Sequence, residues 1–371
     1  MNRRHALWTL GGAGAAISGY AWSERRGLTR ADLDSEKTPS NLAAPSIPPE
    51  IRGILEYASL APSGHNAQPW TVRVGDGVLR IGTDRSRWLP KVDPLNRELS
   101  LSIGAFLEKL LIAAPNFGYL ADYTVTGTDA AGDELLLVQL KKTPVRPAPL
   151  AKLRARRTLR SGQLTQTLSA GDVASLTADF TNEAHFISPE SREGRYLAEG
   201  TIAANQAQAL RDEAQEELAE WIRWTNADGR SHRDGLNPES MEISGFAGWY
   251  VRHFMTRANV LGRRFRDQGV DRVREQVASC GGWIVITSRD STLPSLIETG
   301  RRTERMWLAA RDRLIAIHPM TQMLEEMAFQ DRVASTLGVT GHVQFILRVG
   351  YVRQYLEPVS LRVPVSAILR T

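Results

Sequence analysis

An internal sequence repeat, here called the echo, constrains the fold of this chain more than any other feature. The segment "GAFLEKLLIAA", which begins at Gly104, aligns without a gap with "GRRTERMWLAA", which begins at Gly300. Each predicted helix leads through a loop into a strand. Residues 50–74 and 170–188 match in the same way, since both pass from a helical pattern to a strand pattern. Two matches in one order indicate a duplicated unit, so we predict two similar halves.

The first half is predicted to span residues 48–145. Apolar residues at helical spacing over 51–58 precede two alternating strands around a Gly-Asp-Gly turn, a pattern typical of a hairpin. A second helix carries an apolar stripe from Ile103 to Ala114, and the strand "DELLLVQL" follows it. The proline-rich joint "KKTPVRPAPL" then separates the halves.

The second half is predicted to span residues 150–371. It contains an excursion at about 195–280 that the first half lacks, with a predicted helix "IAANQAQALRDEAQEELAEWIRW" and a polar loop near residues 225–245. Glycine and proline among polar residues are typical of mobile covers, so we predict that this loop is a lid.

The amino terminus resembles an export signal. Arg3 and Arg4 directly precede a Gly/Ala-rich apolar stretch, so residues 1–22 are interpreted as a twin-arginine signal peptide and residues 23–47 as a polar linker. This predicts export to the periplasm by the twin-arginine machinery. The alternative is a single membrane anchor, although about 17 apolar residues fall short of the ~20 that a spanning helix needs.

Composition excludes several classes of site. The net charge is +5, but Lys and Arg are spread among nearly as many Asp and Glu, which argues against nucleic-acid binding. Cys280 is the only cysteine, so an intramolecular disulfide and a cysteine-based metal site are excluded. The seven histidines show no paired metal motif, and we predict no metal.

The stretch "APSGHNAQPW", residues 61–70, combines polar donors with residues that break helices. Taken alone, it fits either a surface turn or a loop that binds the polar edge of a planar heterocycle. Its order resembles the APSxxNxQPW loop of the flavin-dependent nitroreductase family, which contacts the flavin ring and ribityl chain. The resemblance implies flavin contacts by Pro62, Ser63, His65, Asn66 and Gln68.

A second motif, "RRTLR", places Arg156, Arg157, Thr158 and Arg160 just after the joint. Such residues fit either a phosphate site or a solvated helix face. The motif resembles the RRSxR element with which nitroreductases hold the flavin phosphate, with Thr158 in the position of Ser. The terminal stretch "YVRQYLEPVSLRVPVSAIL" resembles the family's last segment and adds Arg362 as a phosphate contact, with Arg353 as the second candidate.

The stretch "IAIHPMTQMLEE" departs from the family pattern, which has a glycine-bearing turn that places backbone N–H groups near flavin N5. Met320 or Thr321 is the positional candidate for that donor. His318 is interpreted either as a proton donor or as a structural hydrogen-bonding residue.

The two motifs are divided between the halves, because the first half has the "APSGHNAQPW" loop and the second half has the "RRTLR" motif. This division resembles the Acg-like branch of the family, fused pseudo-dimers with one FMN per chain and a lid. The resemblance implies an α+β fold with two tandem nitroreductase-like halves packed along a central helix pair. One flavin site should be complete and the other degenerate.

The implied function is an FMN-binding oxidoreductase. NAD(P)H or another donor would reduce the flavin, and a nitroaromatic, quinone or related acceptor would take the electrons. No catalytic side chain is predicted, because the flavin carries the chemistry. Two alternatives stay open: an FMN-sequestering protein with a lid over the flavin, and a specialised redox enzyme with another reductant. The oligomeric state, monomer or homodimer, is also open.

Overall fold

Two antiparallel four-stranded sheets form the frame of the computed structural model, which describes residues 26–35 and 47–371. The first sheet has the order β1-β2-β4-β3 and the second β5-β6-β8-β7, so the second repeats the first. The strands are β1 (Trp70–Gly75), β2 (Val78–Thr83), β3 (Tyr119–Val125), β4 (Leu136–Lys142), β5 (Ala184–Ile187), β6 (Gly282–Ser288), β7 (Ile315–Pro319) and β8 (His342–Tyr351). The repeated order agrees with the predicted α+β fold of two tandem halves.

Helices flank the sheets. They are α1 (Arg30–Ser35), α2 (Pro49–Ala58), α3 (Arg97–Ala113), α4 (Leu150–Ala155), α5 (Ala170–Thr177), α6 (Arg192–Leu210), α7 (Asp212–Trp221), α8 (Asn226–His232), α9 (Gly245–Phe254), α10 (Arg257–Leu261), α11 (Arg263–Ala278), α12 (Leu293–Asp312), α13 (Gln322–Glu325), α14 (Met327–Leu337) and α15 (Val365–Ile368). Short 3₁₀ helices cover Gly64–Asn66, Arg85–Arg87 and Ala114–Phe117. None of the described helices is long and apolar enough to cross a membrane.

The two halves meet along α3 and α12, whose crossing depends on the glycines of the sequence echo. A Cβ on Gly104 would lie 2.1 Å from the Ile297 carbonyl oxygen, and one on Gly300 would lie 2.0 Å from the Leu101 carbonyl oxygen. Any side chain at either position would force the helices apart. The predicted central helix pair is therefore confirmed, and each glycine faces the partner helix.

Local predictions for both halves also hold. Asp76 and Gly77 connect β1 to β2 with φ angles of 50° and 74°, the left-handed pair that a two-residue hairpin turn requires. In the second half, Ser169 accepts a hydrogen bond from the Asp172 N–H and so caps α5, which leads to β5.

The carboxyl-terminal segment crosses back to the first half. Val363, Val365, Ile368 and Leu369 are buried in the core of the first sheet, and Leu369 bridges to Val72 of β1. The predicted second half, 150–371, thus ends in a segment that completes the core of the other half. The chain crosses over because these apolar residues have β1 and α2 as their nearest apolar surface.

Two further details differ from the sequence interpretation. Within the predicted linker, residues 26–35 pack against the fold, because Leu28 and Leu33 are buried with Leu361. Two leucines five residues apart give no periodic signal, so the segment resembled a linker. The long helix predicted in the excursion is two helices, α6 and α7, broken at Arg211 where ψ is 111°.

Candidate functional site

Two adjoining cavities lie where the halves meet, one of about 210 Å³ and one of about 80 Å³. Both are lined by predicted site residues from each half: Pro62, Ser63 and His65 from the first and Thr158 and Arg160 from the second. The fold therefore brings together the two motifs that the sequence keeps about 90 residues apart, as the division of motifs between the halves requires.

The loop before β1 is held in an unusual backbone conformation. His65, Asn66 and Gln68 have φ angles of 48°, 55° and 54°, in the left-handed region that costs residues other than glycine about 1–3 kcal/mol each. Backbone hydrogen bonds from Asn66 to the Ser63 oxygen and from Ala67 to the Gly64 oxygen offset this strain. Strain of this kind concentrates at binding sites, where the surroundings fix the loop.

Asn66 and Gln68 fix the loop rather than face the larger cavity. The Asn66 amide donates to the Gly235 and Leu361 carbonyl oxygens at 3.1 and 3.0 Å. Gln68 is fully buried, donates to the Arg233 oxygen at 3.2 Å and accepts from the Val363 N–H at 3.0 Å. Asn66 lines the smaller cavity, whereas Gln68 lines neither. The Gln68 amide is used by Arg233 and Val363, and its predicted contact with the flavin stays a prediction.

Guanidinium groups dominate the smaller cavity, and none of the carboxylates that the structure describes lines it. The residues are Arg30, Arg156, Arg157, Arg160 and Arg362. Arg30 was not predicted as a site residue, because it lies in the segment interpreted as a linker. The Nε atoms of Arg156 and Arg362 are buried without a hydrogen-bond partner among the described residues. Arg156 Nε lies 3.8 Å from Glu304 Oε1 in an ion pair, but the five guanidinium groups still leave an excess of positive charge at the cavity, which an anion such as phosphate would offset.

The pKa values of these arginines follow from the same crowding. Burial lowers the pKa of Arg362 well below its usual range, and the charges of Arg30 and Arg156 lower it further. Burial also lowers the pKa of Arg160, and Glu242 opposes that effect. An anion in the smaller cavity would therefore stabilise the protonated form of the arginines, and this attraction would raise the affinity of the cavity for the anion.

The larger cavity is bounded by the central helix pair. Leu101, Ser102 and Ala105 of α3 face Gly300, Thr303 and Trp307 of α12, and His318, Pro319, Thr321 and Phe345 complete the wall. Small residues on both helices, Ser102, Ala105 and Gly300, leave a slot between the halves, and Leu101 and Trp307 add apolar surface to it. A planar ring fits such a slot better than a branched ligand does.

Backbone hydrogen bonds near residue 320 distinguish Met320 from Thr321, the two candidates for the donor to flavin N5. Met320 is fully buried, and its N–H donates to the Ile346 oxygen at 2.8 Å. The structure thus uses the Met320 amide to extend the pairing with β8. Thr321 lines the larger cavity, and its N–H has no acceptor within the described residues. Thr321 is the residue of the two whose amide is available.

His318 is not arranged as a charged acid. Burial lowers its pKa well below the usual value, and the charges of Arg348 and Arg160 lower it further. Arg348 Nη2 lies 3.3 Å from His318 Nδ1, and since a guanidinium can only donate, Nδ1 is the acceptor. The neutral ring therefore carries its proton on Nε2, which has no partner in the described part of the chain.

Two carboxyl groups also line the larger cavity, those of Glu98 and Glu325. Sequence reasoning did not single out either residue. Glu98 lies in "DPLNRELSLSIGAF", which overlaps the helix segment that begins at Gly104, and Glu325 lies in "IAIHPMTQMLEE". Neither glutamate has a spacing in the sequence that distinguishes it from a surface residue. Only the helix packing brings them together.

Residues 233–242, here named the cover, lie over the smaller cavity. Leu236 and Ser240 line it, the Gly235 N–H donates to the Asn66 oxygen, and Arg160 donates to the Ser240 oxygen and through its N–H to Glu242. None of residues 225–245, all of them described, lines the larger cavity. The predicted lid thus lines the arginine-rich cavity, where Asn66 and Arg160 anchor it, and its role as a lid over the flavin stays a prediction.

The echo relates the residues around the larger cavity to a second set of residues on the central helix pair. Charged side chains fill that second position. In the register that aligns Gly104 with Gly300, Ser102 and Ala105 correspond to Glu298 and Arg301. Arg301 bonds Glu108, Glu298 and the Tyr123 hydroxyl at 2.6–2.9 Å. This network takes the space that small residues leave open on the other side.

Sequence comparisons identify relatives named as NAD(P)H nitroreductases. PigM of Serratia sp. is 24% identical over 327 residues, which cover 84% of this chain and 91% of that protein. Rv3131 of Mycobacterium tuberculosis is 26% identical, covering 83% and 87%, and acg of the same organism is 25% identical, covering 83% and 91%. No family model matches the chain. The relatives confirm the resemblance to the nitroreductase family and its Acg-like branch.

Proposed function

We propose that this chain is an FMN-dependent NAD(P)H oxidoreductase that reduces nitroaromatic, quinone or related acceptors. The proposal is carried by one observation: a slot and an arginine-rich cavity adjoin and share walls from both halves. A flavin mononucleotide has the same two parts, a planar ring and a phosphate. The names of the relatives support the redox activity.

The residues fit the cofactor by chemistry. Arg156, Arg157, Arg160 and Arg362 would hold the phosphate, and Arg30 would add a fifth positive charge. A bound flavin supplies reversible transfer of a hydride. The free Thr321 N–H and the His318 Nε2–H are the donors that would orient polar atoms of the ring or of the acceptor. The buried walls of the slot would exclude water.

Sequestration of FMN is the second candidate function, and the cover supports it. Asn66, Arg160 and Glu242 anchor the cover at the arginine-rich end, where it would slow release of the phosphate. The same placement leaves the larger cavity without a cover from residues 225–245, which supports an enzyme. The two candidates therefore differ in whether hydride donors reach the ring.

Anaerobic mixing tests this difference. The oxidoreductase proposal predicts that NADPH or NADH bleaches the flavin absorbance within seconds and that a nitrofuran or benzoquinone restores it. Reduction by dithionite alone, with no response to either nicotinamide, would favour sequestration or a different reductant.

We also propose export through the twin-arginine pathway, on the basis of Arg3 and Arg4, which lie outside the described residues. A variant with Arg3→Lys and Arg4→Lys should accumulate in the cytoplasm with normal flavin content. Normal periplasmic yield of that variant would contradict the signal.

A further inference from the structure

A threonine hydroxyl joins the two carboxyl groups of the larger cavity. Thr321 Oγ1 lies 3.0 Å from Glu98 Oε1 and 3.0 Å from Glu325 Oε1. A hydroxyl has one proton, so it can donate to only one of these oxygens. Both contacts are hydrogen bonds only when one carboxyl group is protonated and donates to Thr321.

The neighbours decide which carboxyl group holds the proton. Glu98 Oε1 also accepts from Arg97 Nη2 at 2.8 Å, which favours its charged form. Glu325 Oε2 accepts at 2.6 Å from the neutral amide of Gln208 on α6. The proton therefore lies on Glu325, and the hydrogen bonds run from Glu325 to Thr321 and from Thr321 to Glu98.

Electrostatics agree with this direction. Burial and the charge of Glu98 together raise the pKa of Glu325 to about 8, against the hydrogen bonds of Gln208 and Thr321 and the charge of Arg97, which lower it. The other titratable groups facing Glu98 are Asp93, whose pKa burial raises to about 6, and His65, whose pKa burial lowers to about 4. No ammonium or guanidinium forms an ion pair with Glu325 in the described part of the chain.

An independent feature of the same cavity points to a ligand. His318 lines it with 8% of its surface exposed, and its Nε2–H has no acceptor among the described residues. An imidazole N–H that lines a cavity and has no acceptor among the described residues is placed to donate to an oxygen atom of a bound ligand. The cavity thus offers a donor for an oxygen atom beside a carboxyl pair with one proton.

We propose that Glu325, Thr321 and Glu98 form a proton relay that protonates an oxygen of the acceptor in the larger cavity, a quinone carbonyl or a nitro group. The relay rests on the proposed function, which supplies the electrons. A bound reduced flavin would supply the hydride that the acceptor takes, and Glu98 would supply the proton. Thr321 passes its proton to Glu98 and receives one from Glu325, which is left as a carboxylate and regains a proton from water. The acceptor gains two electrons and two hydrogens, and the flavin is oxidised.

Pre-steady-state oxidation of reduced protein tests the relay with two acceptors. Benzoquinone needs protons, whereas ferricyanide takes one electron at a time and none. Glu325→Gln and Thr321→Val should slow oxidation by benzoquinone about tenfold or more and leave oxidation by ferricyanide unchanged. Thr321→Ser keeps the hydroxyl and should keep the rate. Glu326→Gln is the matched control, because Glu326 bonds Arg211 and lines neither cavity. Equal slowing with both acceptors, or no slowing, would overturn the relay.

Infrared spectroscopy gives a readout that needs no flavin. The protein at neutral pH should show the carbonyl band of a protonated carboxylic acid, which Glu325→Gln removes and Glu326→Gln retains. Persistence of the band in Glu325→Gln would overturn the assignment of the proton. If the intact protein binds no flavin, the proposed function fails, and the band still tests the protonated glutamate by itself.

Discussion

Arg362 Nη1 donates a hydrogen bond of 2.7 Å to Asn66 Oδ1, across 296 positions of the sequence. The same Asn66 amide donates to Gly235 of the cover and to Leu361 of the terminal segment. Arg362 also donates to the Leu60 and Ala61 oxygens at the start of the loop. One buried amide therefore ties together the loop, the cover and the terminal segment, all three of which line the arginine-rich cavity.

Asn66→Ala should therefore lower both stability and flavin retention. The change leaves the Gly235 oxygen without the Asn66 amide and removes one hydrogen bond each from the Leu361 oxygen and the Arg362 guanidinium, at a cost of about 1–3 kcal/mol in the free energy of unfolding. We expect a lower melting temperature for flavin-free protein and faster flavin release on dilution. Gln268→Ala, at an exposed amide on α11, is the control. Stability like that of the unchanged protein would mean that the amide does not hold the three segments.

Arg156→Ala should weaken binding of FMN but not of riboflavin. Its guanidinium lines the smaller cavity, and a charge-assisted bond to phosphate contributes roughly 1.5–3 kcal/mol, or about tenfold or more in affinity. Fluorescence titration with each flavin measures the effect. Arg353→Ala, at an exposed arginine of the terminal segment, should change neither affinity. Equal loss of affinity for both flavins would place the phosphate elsewhere.

Glu242→Gln should speed release of FMN without changing the rate of reduction by NADPH. Glu242 anchors the cover through a carboxylate that accepts from the Arg160 N–H at 2.8 Å and forms an ion pair with Arg157 at 3.8 Å, and glutamine removes its charge. The cover lies over the smaller cavity and not over the larger one. Stopped-flow reduction and a flavin-release assay separate the two effects. Glu220→Gln, which alters an exposed ion pair with Arg257 in the same excursion, is the control. A faster reduction in Glu242→Gln would show that the cover also closes the larger cavity.

Glu325→Gln should change how stability depends on pH. Burial raises the pKa of Glu325 from 4.5 to about 8, so between these values the folded protein binds more protons at this residue than the unfolded chain does. Stability from this residue therefore falls as pH rises through that range, and glutamine removes the fall. Denaturation midpoints are measured for both proteins at about pH 5 and about pH 9. The stability of the variant relative to that of the unchanged protein should be greater at the higher pH. A constant difference would mean that Glu325 titrates normally.

The arrangement of the halves could be predicted from the sequence because it depends on local patterns. Gly104 and Gly300 lie in helices with the same apolar spacing, and the packing of those helices follows from the missing side chains. The loop and the RRTLR motif are continuous segments, so their order in the sequence is enough to single them out.

The remainder of the site depends on contacts between distant residues, which no local pattern encodes. Arg30 reaches the arginine-rich cavity only because Leu28 and Leu33 pack on Leu361. Glu98 and Glu325 meet because α13 follows β7 beside the start of α3. Gln68 belongs to the motif, yet Arg233 and Val363 use its amide, and a motif alone does not show which of its side chains face a ligand.

The central claim is that this chain builds one composite flavin site from its two halves. The most direct measurement is the identity and amount of flavin released from the purified, fully loaded protein by heat, determined by chromatography against protein concentration. We predict FMN at about one equivalent per chain, because the position related by the echo is filled by the Arg301 network. Two equivalents per chain, or a protein that binds no FMN when it is supplied in excess, would contradict the account.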